Sequence, residues 1–183
     1  WMQRELMLAG IRSVNAATDV TNFVMLLTGQ PMHAFDADKV AGGLRVHNAA
    51  GGEEFETLDH TKRTLLPTDV VISDDNGIQS LAGVMGGTTS EISDETVNVY
   101  FEAASWDELT VAKTARHHKL SSEASRRFER GVDPAIVEAS LDIACALLVE
   151  CAGGTISECG SIVGEVPARE PITMRLDRPS ELI

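Results

Sequence analysis

Apolar and polar positions recur along this chain with two different periods, and the periods divide it into elements. Phe23, Val24, Leu26 and Leu27 repeat at helical spacing and predict a helix over 19–28, with Thr18 or Asp19 as N-cap and Gly29 as the stop. Residues 44–49, 69–73 and 97–102 are rich in β-branched side chains and alternate, which predicts strands. Ser105-Trp106-Asp107-Glu108 has the form of a capping box that opens a helix running to about His118. Ser121 to Gly131 reads as a short helix with a serine cap, a basic face and a glycine stop. At Asp133-Pro134 the proline suits a first helical position, and Ile136, Val137, Leu141, Ala144 and Leu148 continue the period until Gly153-Gly154 ends it. Strands and helices come in mixed order without a regular β-α alternation. That predicts an α+β fold of mixed β-sheet layers packed with helices, not a doubly wound sheet.

The pattern changes near the end. Residues 164–171 carry Pro167 and Pro171 with charges between them, a linker-like composition, and 172–176 start a new alternating strand before the chain stops at Leu182-Ile183. The expected division is one domain over 1–165, then a linker and the start of a following domain over 166–183. A hydrophobic content of 43% and a charged content of 23% are those of a globular chain and exclude a mainly disordered one. No apolar run has the roughly 18 residues of a membrane span, so a cytoplasmic protein without membrane contact is expected. Cys145, Cys151 and Cys159 form no C-x-x-C pair, so neither a metal site nor a disulfide is expected, and Cys145 falls at a buried helical position.

Net charge of −13 argues against a free-standing nucleic-acid binder, whose affinity rests on neutralising phosphates. The basic residues are nonetheless clustered: Lys113, Arg116, Lys119, Arg126, Arg127 and Arg130 stand close together, opposed there by Glu123 and Glu129. This is either a phosphate-facing surface or a solvated helix face.

Some polar residues do not fit the pattern around them. Asn22, Gln30 and His33 interrupt the apolar stretch 21–36, and a buried amide or imidazole without partners costs about 1 to 3 kcal/mol. They are either satisfied core groups or the wall of a site. On the strand at 97–102, Val97, Val99 and Phe101 share one face and Asn98, Tyr100 and Glu102 the other. Glu102 therefore ends a strand beside Ala103-Ala104, as a loop cap, an arginine's partner or a recognition group. The glycines of Ser80-Leu81-Ala82-Gly83-Val84-Met85-Gly86-Gly87 allow either a tight turn or close approach of a small ligand, and match neither a dinucleotide fingerprint nor a phosphate loop. Ser122 has no Ser-His-Asp arrangement around it in sequence, and His117 and His118 read equally well as exposed residues.

Taken in order, Gly10-Ile11-Arg12-Ser13-Val14-Asn15, Asp19-Val20-Thr21-Asn22, Gly29-Gln30-Pro31-Met32-His33-Ala34-Phe35-Asp36, Leu81-Ala82-Gly83-Val84-Met85-Gly86-Gly87 and Arg127-Phe128-Glu129-Arg130-Gly131-Val132-Asp133-Pro134 closely resemble the beta subunit of bacterial phenylalanyl-tRNA synthetase. The resemblance covers roughly residues 5–154, the family's third and fourth domains, where its editing site lies. It implies hydrolysis of tyrosine mischarged onto tRNA(Phe). By the same resemblance Glu102 matches the glutamate that holds the tyrosine hydroxyl, and Ala124 the small residue that leaves room for the ring. His33, Asn22 and Thr21 match residues around the aminoacyl group and the tRNA terminus, and Gly86 matches the backbone wall of the pocket. Ser122 stands where the family usually has Thr. His60 stands where it often has Gly in a tight turn, a position that costs His some strain.

The resemblance further implies no metal or cofactor in this stretch. ATP and Mg belong to the whole enzyme, whose synthetic site lies mainly on the alpha subunit. Its implied partners are the acceptor end of tRNA(Phe), the alpha subunit and the remaining beta-subunit domains. The alternative is a non-catalytic tRNA-facing or structural module of a large tRNA-modifying or aminoacylating enzyme; Glu102 and Ala124, each in its motif, favour editing.

Overall fold

Two antiparallel strands far apart in sequence hold the site. Strand β1 (Met32–Asp36) pairs with β8 (Val99–Ala103), with Met32 opposite Ala103, His33 opposite Glu102 and Phe35 opposite Tyr100. The computed structural model describes residues 1–158, 160–166, 168, 170–178 and 180. Helices α1 (Met2–Leu8), α2 (Ala16–Thr28) and α5 (Val137–Ala152) cover one side of this ribbon through Met2, Leu6, Val20, Val24 and Ala144, against which Met32 and Phe101 pack. Helix α5 turns the small residues Ser140 and Ala144 inward, Ala144 against Val20 and Val24 of α2, and the Ser140 hydroxyl reaches Thr28 Oγ1 at 3.3 Å.

The remaining strands form a four-stranded antiparallel sheet and a separate hairpin. The sheet has the order β2 (Arg45–Asn48), β5 (Val70–Ser73), β6 (Ile78–Leu81), β7 (Met85–Gly86), and β3 (Glu54–Glu56) pairs with β4 (Lys62–Thr64). Phe55, Leu65, Val71, Leu81 and Val84 from these strands and turns enclose Val111, Ala115 and Phe128 from α3 (Glu108–His117) and α4 (Glu123–Phe128). Mixed antiparallel strands layered with helices make an α+β fold, as the element order predicts.

Several local expectations change. The N-cap of α2 is Asn15, whose side chain accepts from the Thr18 N–H at 2.9 Å. Asp19 is instead buried one turn in, where it accepts from the Val14 N–H at 2.8 Å and the Ser13 hydroxyl, tying the preceding loop to the helix. Asp107, not Ser105, caps α3, accepting from the Thr110 N–H at 2.7 Å, which leaves Glu108 as the first helical residue and the anticipated capping box unformed. A capping box forms at α4, between Ser122 and Ser125.

His118 is buried and bonded to Asp69 at 2.7 Å, with Thr114 on the other carboxylate oxygen at 2.8 Å, so it clamps α3 to the start of β5 and only His117 is exposed. Cys145 is half-buried instead of a core residue, because α5 turns Ser140 and Ala144 toward α2. Residues 172–176 adopt no strand; among the described residues no strand ladder includes them, and a strand needs ladder bonds to hold it. Cys159, Pro167, Leu182 and Ile183 lie outside the described residues. His60 does take the left-handed conformation, with φ +56°, at the β3–β4 turn.

Candidate functional site

Residues that face each other across an antiparallel pair project from the same side of the sheet. His33 and Glu102 therefore rise together from the β1–β8 ribbon, on the side away from Phe101 and the helices. Opposite them lie the β6–β7 turn and α4. The space between is a cleft open to solvent, with His33, Glu102 and Ser80 among its polar lining and Leu81, Val84, Met85, Trp106, Ala124 and Phe128 among its apolar lining. A few polar groups in apolar walls are the usual composition of small-molecule sites.

Each wall has a local cause. Gly86 has no Cβ because a Cβ there would come within 2.3 Å of His33 Cε1. The imidazole therefore lies directly on the backbone of β7. On its other side the ring meets Phe35 edge-on at 4.3 Å, two residues along the same strand face. Desolvation between these neighbours lowers the His33 pKa from 6.5 to about 4 and leaves its Nε2 buried without a hydrogen-bond partner. His33 is thus a neutral imidazole at physiological pH.

Glu102 has neither an arginine nor a loop N–H as partner among the described residues, and burial pushes its carboxyl up from 4.5 to about 7. The cap and ion-pair roles left open by the sequence are not the ones it plays. Ala124 sits on α4, where its methyl group leaves the cleft open above Phe128. The glycine-rich stretch serves both as a tight turn, with Gly83 at φ +69°, and as the cleft wall.

Three expected residues lie elsewhere. Ser122 is not in the cleft lining: its hydroxyl donates to the Val84 carbonyl at 2.8 Å and accepts from the Ser125 N–H at 2.9 Å, fixing α4 against the β6–β7 turn. Thr21 and Asn22 are also outside the lining, on α2, and the Thr21 hydroxyl donates back to the Thr18 carbonyl at 2.8 Å. Gln30, fully buried, donates to the carbonyls of Pro31 and Ala104 at 2.8 and 2.9 Å, so it braces the two strands beside the cleft. Trp106 and Met32 line the cleft without having been given a site role from the sequence, whereas Ser80 and Met85 belong to the glycine-rich stretch read there as a turn or a ligand's wall. The one signal for Trp106 was a large aromatic just after the Glu102 strand.

Electrostatically the cleft borders the basic cluster. Lys113, Arg116, Lys119, Arg126 and Arg130 are exposed on α3, α4 and the turns that follow them, while Arg127 and Arg126 reach Glu123 at 2.6 and 3.3 Å. Helix α4 thus presents Ala124 and Phe128 to the cleft and cations to solvent. Among the described residues no three His, Cys, Asp or Glu side chains converge as a metal centre requires, and no helix is long and apolar enough to cross a membrane.

The two shifted groups act on stability in opposite directions. Glu102, raised in the fold from 4.5 to about 7, contributes stability that is present below 4.5 and lost as pH rises through about 7. His33, lowered from 6.5 to about 4, contributes stability that is present above 6.5 and lost as pH falls through about 4. The melting temperature of the parent relative to Glu102→Gln is therefore expected to fall steadily between about pH 4 and about pH 8. Thermal melts of both proteins across that range check it; a constant difference would mean that the carboxyl is not desolvated.

The family described as the B3/4 domain matches residues 1–153. The phenylalanine–tRNA ligase beta subunit of Corynebacterium glutamicum is 75% identical over 182 residues, which is 100% of this chain and 22% of that protein. The same subunit of Nocardia farcinica is 54% identical over 183 residues, again 22% of its length. This chain thus spans about 22% of the length of these curated relatives. Among solved structures, an N-terminal fragment of the phenylalanyl-tRNA synthetase beta subunit from Pyrococcus horikoshii matches with a TM-score of 0.39 and 16% identity, over 63% of this chain and 38% of that one.

Proposed function

Because the chain belongs to the B3/4 domain family, and is similar along its whole length to phenylalanine–tRNA ligase beta subunits, we propose that its cleft is an editing site that hydrolyses tyrosyl-tRNA(Phe). The observation that carries the reading is the carboxyl of Glu102, without a partner among the described residues, in a cleft whose walls are mostly apolar and include Leu81, Val84, Trp106, Ala124 and Phe128. An apolar pocket selecting phenylalanine rejects an added hydroxyl by only about 100-fold, so an enzyme charging phenylalanine needs a second sieve. A carboxyl with no partner among the described residues supplies one. It accepts a hydrogen bond from the phenolic O–H of tyrosine, and is left unmatched when phenylalanine enters.

In this reading the tyrosine ring lies along the apolar wall, over the space left by Ala124. His33, neutral, with an unpartnered buried nitrogen, positions the ester or the attacking water. The water oxygen bonds to the ester carbonyl carbon, the bond to the terminal ribose oxygen breaks, and the ribose hydroxyl and free tyrosine leave. Gly86 keeps the backbone low enough for the imidazole to reach that place. Asn22 contacts the tRNA terminus beyond the cleft, buried Thr21 steadies the turn of α2 that carries it, and Ser122 keeps the α4 wall in position. The exposed cations of α3 and α4 receive the acceptor-end phosphates of tRNA(Phe). Aminoacylation, with its ATP and Mg, belongs to the enzyme assembled with the alpha subunit and the remaining beta-subunit domains.

The test is to incubate the assembled enzyme with tyrosyl-tRNA(Phe) and phenylalanyl-tRNA(Phe) in separate reactions. Tyrosyl ester is expected to be cleared at least about ten times faster, the size of one matched hydrogen bond. Equal rates, or binding of both without hydrolysis, would overturn the proposal and favour a tRNA-facing module.

A further inference from the structure

Among the described residues four buried side-chain polar atoms have no hydrogen-bond partner, and two of them, His33 Nε2 and Trp106 Nε1, belong to residues of the same cleft. Such groups are uncommon in folded proteins, and each asks for a reason. His33 already has a role in the proposed hydrolysis. Trp106 does not.

Its indole is held from several sides. The ring packs between two apolar clusters, one around Leu81, Val84 and Phe128 and the other around Phe35, Ile72 and Ala82. Gly83 lets the backbone approach it, since a Cβ there would stand 2.7 Å from Trp106 Cδ1, the atom bonded to Nε1. The pyrrole edge is therefore pressed toward the β6–β7 turn. Three carbonyls of that turn are engaged with other donors: Leu81 with the Val84 N–H, Val84 with the Ser122 hydroxyl, and Met85 with the Ser80 hydroxyl. An indole N–H is a donor only and needs an acceptor brought from outside.

Resting on the editing reading above, we propose that the Trp106 indole N–H is a second partner of the substrate's phenolic oxygen, donating to its lone pair while Glu102 accepts the hydrogen bond from its O–H. A phenol is both a donor and an acceptor. A site with Glu102 alone satisfies half of it. Trp106 lies in the short loop between β8 and α3, and both it and Glu102 line the cleft, so a substrate oxygen held between them meets a partner for each of its hydrogen-bonding roles. Phenylalanine offers neither half, which raises the selectivity above what one hydrogen bond provides.

Trp106→Phe keeps an aromatic ring against the same clusters and removes the N–H. In the assembled enzyme, kcat/KM for tyrosyl-tRNA(Phe) is expected to fall about 10-fold with hydrolysis of phenylalanyl-tRNA(Phe) unchanged and the melting temperature equal or higher, because a buried unpaired donor has been removed. Equal loss for both esters would place the contact on the shared ester or assign Trp106 to packing, and no loss for either would leave the N–H without a ligand; both overturn the proposal. A readout independent of catalysis is the indole N–H resonance of Trp106 in the 183-residue chain, titrated with a non-hydrolysable amide-linked 3′-tyrosylamino-adenosine and its phenylalanyl counterpart. The Trp106 signal is expected to shift with the tyrosyl compound and not with the phenylalanyl one, while Trp1, 63% exposed and outside the cleft lining, serves as the control. Loss of the shift refutes the role of Trp106. A shift in a protein that clears neither ester refutes the hydrolysis and keeps the recognition.

Discussion

Replacement of Ala124 by Trp is expected to abolish hydrolysis of tyrosyl-tRNA(Phe) and to change the melting temperature little. Ala124 lies on α4 with its methyl group bordering the cleft, so an indole placed there grows into a cleft open to solvent before it meets the core. That space is also where the substrate ring must lie. Overpacking a closed core typically costs about 1 to 3 kcal/mol, but a side chain that grows into a cleft avoids most of this. The expected signature is therefore a loss of at least about a hundred-fold in the single-turnover deacylation rate with an unaltered unfolding transition. Clearance at the parent rate would show that the tyrosyl group binds elsewhere.

Glu102→Ala is expected to change two things at once. Without the carboxyl, the phenolic hydroxyl loses its acceptor, and hydrolysis of tyrosyl-tRNA(Phe) falls by an amount corresponding to about 1 to 3 kcal/mol. The mismatch that phenylalanine meets at the carboxyl disappears as well, so phenylalanyl-tRNA(Phe), normally spared, gains in relative rate. Stability adds a third, independent sign. Glu102 has no partner among the described residues, and its carboxyl is held at about 7 by burial alone, so its removal at alkaline pH relieves a desolvated charge and is expected to raise the melting temperature. A structural ion pair behaves in the opposite way: its loss slows both esters alike and lowers the melting temperature. Measuring both rates and the melt at about pH 8 separates the two roles.

Features confined to a few neighbouring residues were legible in the sequence. Gly29 ends α2 in the left-handed conformation, with φ +81°, because glycine alone adopts it without strain. Asp133 accepts from the Ala135 N–H ahead of Pro134, as that dipeptide's chemistry requires. The alternation that separates Phe101 from Glu102 is likewise local, and the structure sends Phe101 to the helices and Glu102 to the cleft. Competing local signals were harder to separate. Asn15, Thr18 and Asp19 are all good caps, and the choice fell to Asn15 because Asp19 is drawn back to Ser13 and Val14 by the loop's own fold. The strand that carries His33 was not readable, since five residues with one buried polar edge resemble a loop until their partner is known.

Residue identities along the chain determined which chemistry was present: a histidine, a glutamate, small residues and glycines in order, and a basic run set in an acidic protein. Pairing across long sequence separation decided what that chemistry became. The β1–β8 register set His33 against Glu102, the bare backbone of Gly86 and the ring of Phe35 stripped the imidazole of water, and burial of the carboxyl raised its pKa. The same packing took Ser122 out of the cleft and brought Trp106 into it. Desolvation and unsatisfied hydrogen bonds are properties of a side chain's surroundings, not of its identity, and those surroundings exist only once distant segments have packed.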